Sequence, residues 1–170
     1  CARLNKVLRP SKMSDLPFVL TAERQAHDQG YVGQWSYAQH QEAITGADKA
    51  HFIVTGAEKR DRVGYVILEG LTDANQCILL RRIVITQQDQ GYGRTTLRTL
   101  KHLVFDTYGA HRFWLDVKAF NPRARHLYET EGFVLEGCLR EALKLQESYH
   151  SMYVMSLLRS EYEAHQPQYR

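Results

Sequence analysis

The apolar residues of this chain follow two periods that alternate along the sequence. Short runs rich in β-branched and aromatic residues are typical of strands, and they cover residues 3–10, 51–57, 62–71, 77–85, 111–117, 133–139 and 148–158. Apolar residues spaced three and four apart, or helix-capping residues, indicate helices over residues 14–26, 37–45, 94–108 and within 120–133. The order β-α-α-β-β-β-α-β-α-β-β predicts an α/β (α+β) domain with one mixed, mostly antiparallel central sheet flanked by helices.

Local signals mark the ends of two of these helices. Gly109 stands just after the predicted helix over residues 94–108, where a C-terminal glycine is common. Asn121 is a suitable N-cap, Pro122 fits the first helical position, and Gly132 ends the same helix. These signals predict two helices with well-defined limits, one on each side of the strand over residues 111–117.

Composition limits the class of protein. A length of 170 residues with 44% hydrophobic residues predicts one domain over residues 1–170, with residues 159–170 as a polar tail. No run approaches the eighteen apolar residues of a membrane span, so we expect no membrane segment. The net charge of +3 is too small to predict nucleic-acid binding, although it suits an anionic ligand.

The three cysteines, Cys1, Cys77 and Cys138, are odd in number and far apart. This pattern predicts neither a disulfide framework nor a zinc motif. We therefore expect a reduced, cytoplasmic setting and no metal.

Two glycines, Gly91 and Gly93, lie between a predicted strand and a predicted helix. A glycine loop at this place exposes the free amides of the helix N-terminus, which favour phosphate. The P-loop pattern requires Lys after the second glycine, where this chain has Arg94. The dinucleotide fingerprint requires Gly or Ala where Thr96 stands, and it belongs nearer the start of a chain. Both patterns fit poorly, and a nucleotide-dependent enzyme stays open as an alternative.

Two longer patterns point to one family. Residues 88–93 have the form Q-x-x-G-x-G, and residues 121–133 have the form N-x-x-A-x-x-L-Y-x-x-x-G-F. In this respect the chain resembles the GNAT superfamily of acyl-CoA-dependent N-acetyltransferases, and the resemblance in element order extends over residues 3–158. Residues 136–141, E-G-C-L-R-E, resemble a turn of the branch that contains ribosomal-protein N-terminal acetyltransferases.

The resemblance implies acetyl-CoA as co-substrate and a set of residues around it. Backbone groups of the strand before the glycine loop are expected to pair with the pantetheine arm, and the loop is expected to surround the pyrophosphate. By this resemblance the cofactor-binding residues are Ile83, Val84, Ile85, Gln88, Gln90, Gly91, Tyr92, Gly93, Arg94, Thr95 and Asn121. Arg94 can equally be a solvated residue of the first helical turn, and Asn121 can be an N-cap alone.

Tyr128 is the residue that the resemblance assigns to chemistry. Periodicity alone favours core packing, because Ala124, Leu127 and Tyr128 form one helical stripe. A tyrosine at this motif position can protonate the departing thiolate in GNAT enzymes. A phenol with a pKa of about 10 is a weaker acid than a thiol with a pKa of about 8.5, so full transfer costs roughly 2 kcal/mol. The site must lower this cost, or hydrogen bonding must suffice.

A general base is harder to assign. Leu79 and Leu80 stand where many relatives carry a glutamate, so we expect Glu69 or Glu23 to replace it. His150 is a third candidate, because an imidazole titrates near neutral pH. A water held by the backbone is the remaining alternative.

The resemblance implies that the acceptor is a primary amine on a protein N-terminus or a small molecule. The resemblance places the acceptor groove beside residues 28–37, so Trp35 and Tyr31 are expected to contact the substrate, although both can instead cover the sheet. Arg140 and Glu141 can face the same groove. The alternative to an enzyme is an acyl-CoA sensor without catalysis. A homodimer through the C-terminal strands is also possible for this fold.

Overall fold

The computed structural model describes residues 7–58 and 61–165, and their elements follow the predicted order. The strands are β1 (Leu8–Pro10), β2 (Lys49–Thr55), β3 (Arg62–Glu69), β4 (Cys77–Ile85), β5 (Arg112–Lys118), β6 (Val134–Leu145) and β7 (Ser148–Leu158). The helices are α1 (Leu16–Asp28), α2 (Tyr37–Thr45), α3 (Tyr92–His102), α4 (Pro122–Thr130) and α5 (Arg159–Ala164). None of the helices in the described ranges has the length and apolar character that a membrane span needs. Residues 3–6 of the predicted first strand lie outside the described residues.

The seven strands form one sheet in the order β1-β2-β3-β4-β5-β7-β6. Every neighbouring pair is antiparallel except β4 and β5, which are parallel and connected through α3. The predicted mixed, mostly antiparallel sheet is therefore confirmed.

Apolar clusters cover both faces of the sheet. The larger cluster packs α3 and the strand residues Val66, Leu80 and Phe113 together, and Tyr128 of α4 belongs to it. The smaller cluster packs α1 and its Val19 against Ile53 and Tyr65 of the opposite face. The sheet is thus the middle layer of the domain.

A β-bulge changes the direction of side chains along β4. Ile67 of β3 pairs with Arg82, whereas the next residue, Leu68, pairs with Leu80, so Arg81 is the extra residue. Leu80 and Ile83 consequently pack on the α3 face, although they are three residues apart. The bulge leaves Arg82 on the α1 face and bends the strand at this point.

The ends of α3 and β6 differ from the sequence prediction. The helix predicted from residue 94 begins at Tyr92, after Gly91 in a left-handed conformation, and it ends in a π-helical turn, Leu103–Thr107. β6 extends to Leu145 instead of residue 139, because it continues beyond a bulge as the partner of β7. Its mostly exposed residues gave the sequence no clear alternation.

The predicted polar tail begins as a helix that is fixed to the domain. Arg159 at the start of α5 donates to the carbonyls of Phe105 and Ala110, at 2.8 and 2.7 Å. The buried ring of Tyr162 stacks on Phe105. Residues 159–165 therefore belong to the fold, and the last five residues, 166–170, lie outside the described part.

The close approach of β3 and β4 requires glycine at position 64. A Cβ added to Gly64 would lie 2.1 Å from the carbonyl oxygen of Val84. We expect Gly64→Ala to lower the free energy of unfolding by about 1–3 kcal/mol, the usual cost of overpacking. Gly137→Ala is the matched control, because a Cβ there meets nothing within 4 Å. Equal urea unfolding midpoints for the two variants would contradict this view of the β3–β4 contact.

Candidate active site

A cleft opens where β4 and β5 separate. The two parallel strands are paired only from Cys77 to Leu79 on β4 and from Arg112 to Trp114 on β5. Beyond these pairs the strands enclose a cleft of about 920 Å³, which is lined by the rest of both strands, the glycine loop, α4 and part of α1. The sheet thus contains a gap in its middle rather than at its edge.

The gap leaves one edge of β4 without a partner strand. On its other edge, Arg82 to Ile85 pair with β3. In the described part of the chain no strand pairs with the edge of β4 that faces the cleft beyond Leu79. Unpaired strand edges bind extended chains that carry amide groups. This part of the cleft can therefore hold a ligand that behaves like a short strand.

The glycine loop and the N-terminus of α3 close one end of the cleft. Gly91 is the N-cap and has a φ of 77°, in the left-handed region that favours glycine. A Cβ added there would meet nothing within 4 Å, so the space above the loop is open. The amides of Tyr92, Gly93 and Arg94 belong to the first helical turn, whose N–H groups lack partners within the helix. This end suits an anion.

Arginines surround the same end. Arg94 donates to the hydroxyl of Thr130 at 3.1 Å, and its guanidinium lies 3.5 Å from a carboxylate oxygen of Glu131. Arg123 lines the cleft and forms a 2.7 Å ion pair with Asp89 of the loop. Sequence reasoning missed Arg123, because a charged residue on an exposed helix carries no signal of what lies opposite to it.

Most of the predicted cofactor-binding residues come together in the cleft. Its lining includes Ile83, Val84, Ile85, Gln88, Gly91, Tyr92, Gly93, Arg94 and Asn121. Gln90 and Thr95 are close in sequence but do not line the cleft. The side chain of Gln88 donates to the carbonyl of Ile85 at 2.7 Å, and Asn121 caps α4 by accepting from the amide of Ala124 at 3.2 Å.

Tyr128 lies in the cleft wall, on the last turns of α4. Its ring is buried and packs against Phe133, and its hydroxyl has no hydrogen-bond partner within residues 7–58 and 61–165. Burial raises the pKa of Tyr128 to about 12, and the charge of Asp116 contributes less. The cost of proton transfer to a thiolate is then about 5 kcal/mol, larger than the sequence estimate. The geometry favours a hydrogen bond donated by Tyr128 over full proton transfer.

Glu23 is the centre of a buried network and does not line the cleft. One carboxylate oxygen accepts hydrogen bonds from His40 at 2.8 Å, Tyr65 at 3.0 Å and Arg82 at 2.5 Å. The other accepts from the amide of Trp35 at 2.7 Å. Burial raises the pKa of Glu23, but the hydrogen bonds from His40 and Trp35 and the charge of Arg82 outweigh it and give a net lowering. A carboxylate with every partner in place is unsuited to the base role predicted for it.

The other predicted bases are also away from the cleft. Glu69 forms a 2.7 Å ion pair with Arg81 and does not line the cleft, because it sits where β3 pairs with the closed part of β4. His150 packs against Phe120, 5.0 Å between ring centres, outside the lining. The geometry supports neither residue as a base.

The predicted substrate residues divide between two places. Tyr31 lines the cleft and stays 44% exposed. Trp35 instead packs on the smaller core, with the guanidinium of Arg82 5.1 Å from its ring centre, so its predicted substrate contact is not supported. Arg140 and Glu141 are exposed and do not line the cleft.

Two charged residues of β5 were missed by sequence reasoning. Asp116 and Lys118 line the cleft, and the residues that alternate with them, Leu115 and Val117, are buried in the core. The alternation in residues 111–117 already indicated this, because a central strand is normally apolar on both faces. Polar residues on one of its faces suggest that this face does not pack in the core. Across the described residues, no group of three or more metal-binding side chains is found.

The histidines linked to Glu23, His40 and His51, make the stability of the fold sensitive to pH. His51 bonds to Ser11 at 2.7 Å and to His40 at 3.1 Å. Burial, and then His40, lower the pKa of His51 to about 4. Between pH 6.5 and 4 the unfolded chain binds a proton here that the folded chain does not, so stability falls as the pH falls.

We expect the titration of His51 to lower the free energy of unfolding of the protein by about 2 kcal/mol between pH 7 and pH 5. His51→Gln should flatten the pH dependence measured by urea unfolding, whereas His111→Gln at an exposed position should leave it unchanged. Parallel profiles for all three proteins would show that His51 is not the group responsible.

Comparison with known proteins agrees with this geometry. Residues 16–133 match the acetyltransferase (GNAT) family. The spermidine N(1)-acetyltransferase of Vibrio cholerae serotype O1 is 27% identical over 163 residues, which cover 91% of this chain and 94% of that protein.

Solved structures give the same result. The crystal structure of spermidine N-acetyltransferase from Vibrio cholerae in complex with CoA and spermine has a TM-score of 0.83 and 27% identity, and the match covers 94% of this chain and 99% of that one. Mutant forms of the spermidine/spermine N-acetyltransferase of that organism have a TM-score of 0.80 and 26% identity over 94% of this chain and 98% of theirs. The family match, the fold and the cleft agree, and the chain belongs to the acetyltransferase (GNAT) family as an acetyl-CoA-dependent N-acetyltransferase.

Proposed function

We propose that this protein transfers the acetyl group of acetyl-CoA directly to the primary amine of a small molecule, and that the gap between β4 and β5 holds acetyl-CoA. The observation that carries this proposal is the loss of pairing between the two strands beyond Leu79 and Trp114. A small-molecule amine is proposed ahead of a protein N-terminus because the similar enzymes are named for spermidine and spermine. A cytoplasmic location stays a prediction.

The cleft has the features that acetyl-CoA requires. The free edge of Ile83 to Ile85 offers amide and carbonyl groups to the pantetheine arm. The open loop at Gly91, the first turn of α3 and the guanidinium of Arg94 offer donors to the pyrophosphate. Arg123, already paired with Asp89, adds a second cation at that end.

The residues of the chain then have separate roles. Bound acetyl-CoA supplies the thioester carbonyl that the amine attacks. Amides of β4 that face the cleft can donate to the oxygen on which negative charge develops. Tyr128 donates a hydrogen bond at the sulfur and so stabilises the departing thiolate. Asp116 is a cleft carboxylate that can orient the amine, and the proton that the amine loses on attack passes to water in the open cleft.

Removal of one hydroxyl tests the role of Tyr128. We expect Tyr128→Phe to lower kcat about a hundredfold, the lower end of the range for losing one hydrogen-bond donor to a developing negative charge, with the KM for acetyl-CoA nearly unchanged. CoA release is measured with both substrates saturating. Tyr108→Phe, at a half-buried tyrosine outside the cleft, is the control. An unchanged kcat for Tyr128→Phe would remove the residue from the chemistry, and CoA binding without release from any amine would indicate a sensor.

We also propose that two copies associate through β6. This edge strand exposes Val134 (51%), Leu135 (41%) and Leu139 (46%). Long apolar edge strands tend to pair with another chain, and a second copy would cover this one. Light scattering of the purified chain should give the mass of a dimer, and a monomer at all concentrations would refute the association.

A further inference from the structure

The β5 wall of the cleft carries two opposite charges on one face. Asp116 and Lys118 are separated by one residue, so their side chains leave the same face of the strand about 7 Å apart. Neither side chain forms an ion pair within the part of the chain that the structure describes. Both line the cleft, so both can face a ligand.

Lys118 is fixed in place but not neutralised. Its ammonium donates to the carbonyl of Tyr31 at 2.5 Å, which uses one of its three N–H donors. Burial is the main cause of the lowered pKa of Lys118, the charge of Asp116 opposes it, and the charge of Arg82 adds to it. The lysine therefore lies close to a second cation without a carboxylate in contact.

Arg82 supplies that second cation from the opposite wall. It is only 7% exposed, lines the cleft, and has an Nε with no hydrogen-bond partner among the described residues. Glu23 binds its Nη1 at 2.5 Å, and the ring of Trp35 lies 5.1 Å from its Cζ. A buried guanidinium N–H without an acceptor is costly, and an acceptor oxygen on a bound ligand would satisfy it.

We propose that these residues form an acceptor subsite for α-amino acids: Asp116 contacts the amino group beside Tyr128, and Lys118, with Arg82, binds the carboxylate. In an α-amino acid the two charged groups are joined through one carbon, so a single molecule can bridge side chains that start about 7 Å apart. This proposal rests on the proposed function, because it names the acceptor of the same reaction.

A polyamine suits this wall less well. A polycation needs several free carboxylates, whereas the described residues that line the cleft include only two acidic ones, Asp89 and Asp116. Asp89 is already paired with Arg123 at the other end. Lys118 and Arg82 would repel any further ammonium group in the acceptor.

Matched acceptors test the subsite. CoA release is measured for α-amino acids and for two partners of each: the amide, which has the same shape without the negative charge, and the decarboxylated amine. Phenylalanine, leucine and lysine are tested in this way, and spermidine is included as the acceptor named for the similar enzymes. We expect kcat/KM for the amino acids to exceed that for their amides about 10- to 100-fold, the effect of a hydrogen bond to a charged group.

Variants of Lys118 test whether this residue binds the carboxylate of the amino acid. Lys118→Met should remove most of this preference by raising the KM for the amino acid more than the KM for its decarboxylated amine, which has no carboxylate for Lys118 to bind. Lys118→Arg should retain part of the preference. Lys144→Met is the control, because Lys144 lies on β6 outside the cleft.

The possible outcomes separate the two proposals. If amides, decarboxylated amines or spermidine are acetylated as well as the amino acids, the subsite is refuted while the acetyltransferase function stands. A preference for amino acids that survives Lys118→Met also refutes it. If no acceptor in the panel releases CoA, the proposed function and the subsite fall together.

Discussion

The site depends on one missing set of hydrogen bonds. β4 and β5 run side by side in the middle of the sheet, yet they stay paired for only three residues on each strand. A sheet normally cannot leave backbone groups unpaired in its interior without a cost. Here the cost is offset by the cleft, which gives those groups access to solvent or to a ligand. The bulge at Arg81 lies where the two strands begin to separate, and it sets which residues of β4 face each side.

The buried network around Glu23 supports the wall of the cleft formed by α1 and the segment after it. It connects α1, α2, β3 and β4 through one carboxylate, and it holds the amide of Trp35 in the same cluster. Breaking one partner of such a network is expensive, since it leaves a buried charge without compensation. The network thus holds Arg82 in place on β4, where it lines the cleft.

The sequence predicted the element order, which the fold confirms, and the structure places most of the proposed cofactor-binding residues along one cleft. Both predictions depend on local signals: strand and helix periodicity, the Gly91 loop, and the Asn121 cap with Pro122 after it. The surroundings of the base candidates could not be predicted in the same way. Glu23 and Glu69 are ordinary glutamates in sequence, and only the fold reveals that each is already paired. The alternation around Asp116 and Lys118 is visible in the sequence, but only the fold shows that both residues face a cleft.

Hydrogen–deuterium exchange with and without acetyl-CoA tests the central claim most directly, with ATP and NAD as control ligands. If acetyl-CoA occupies the gap between β4 and β5, peptides that contain Ile83 to Ile85 and Tyr92 to Arg94 should exchange more slowly with acetyl-CoA and not with the controls. Protection confined to other parts of the chain, or equal protection by ATP or NAD, would contradict the account.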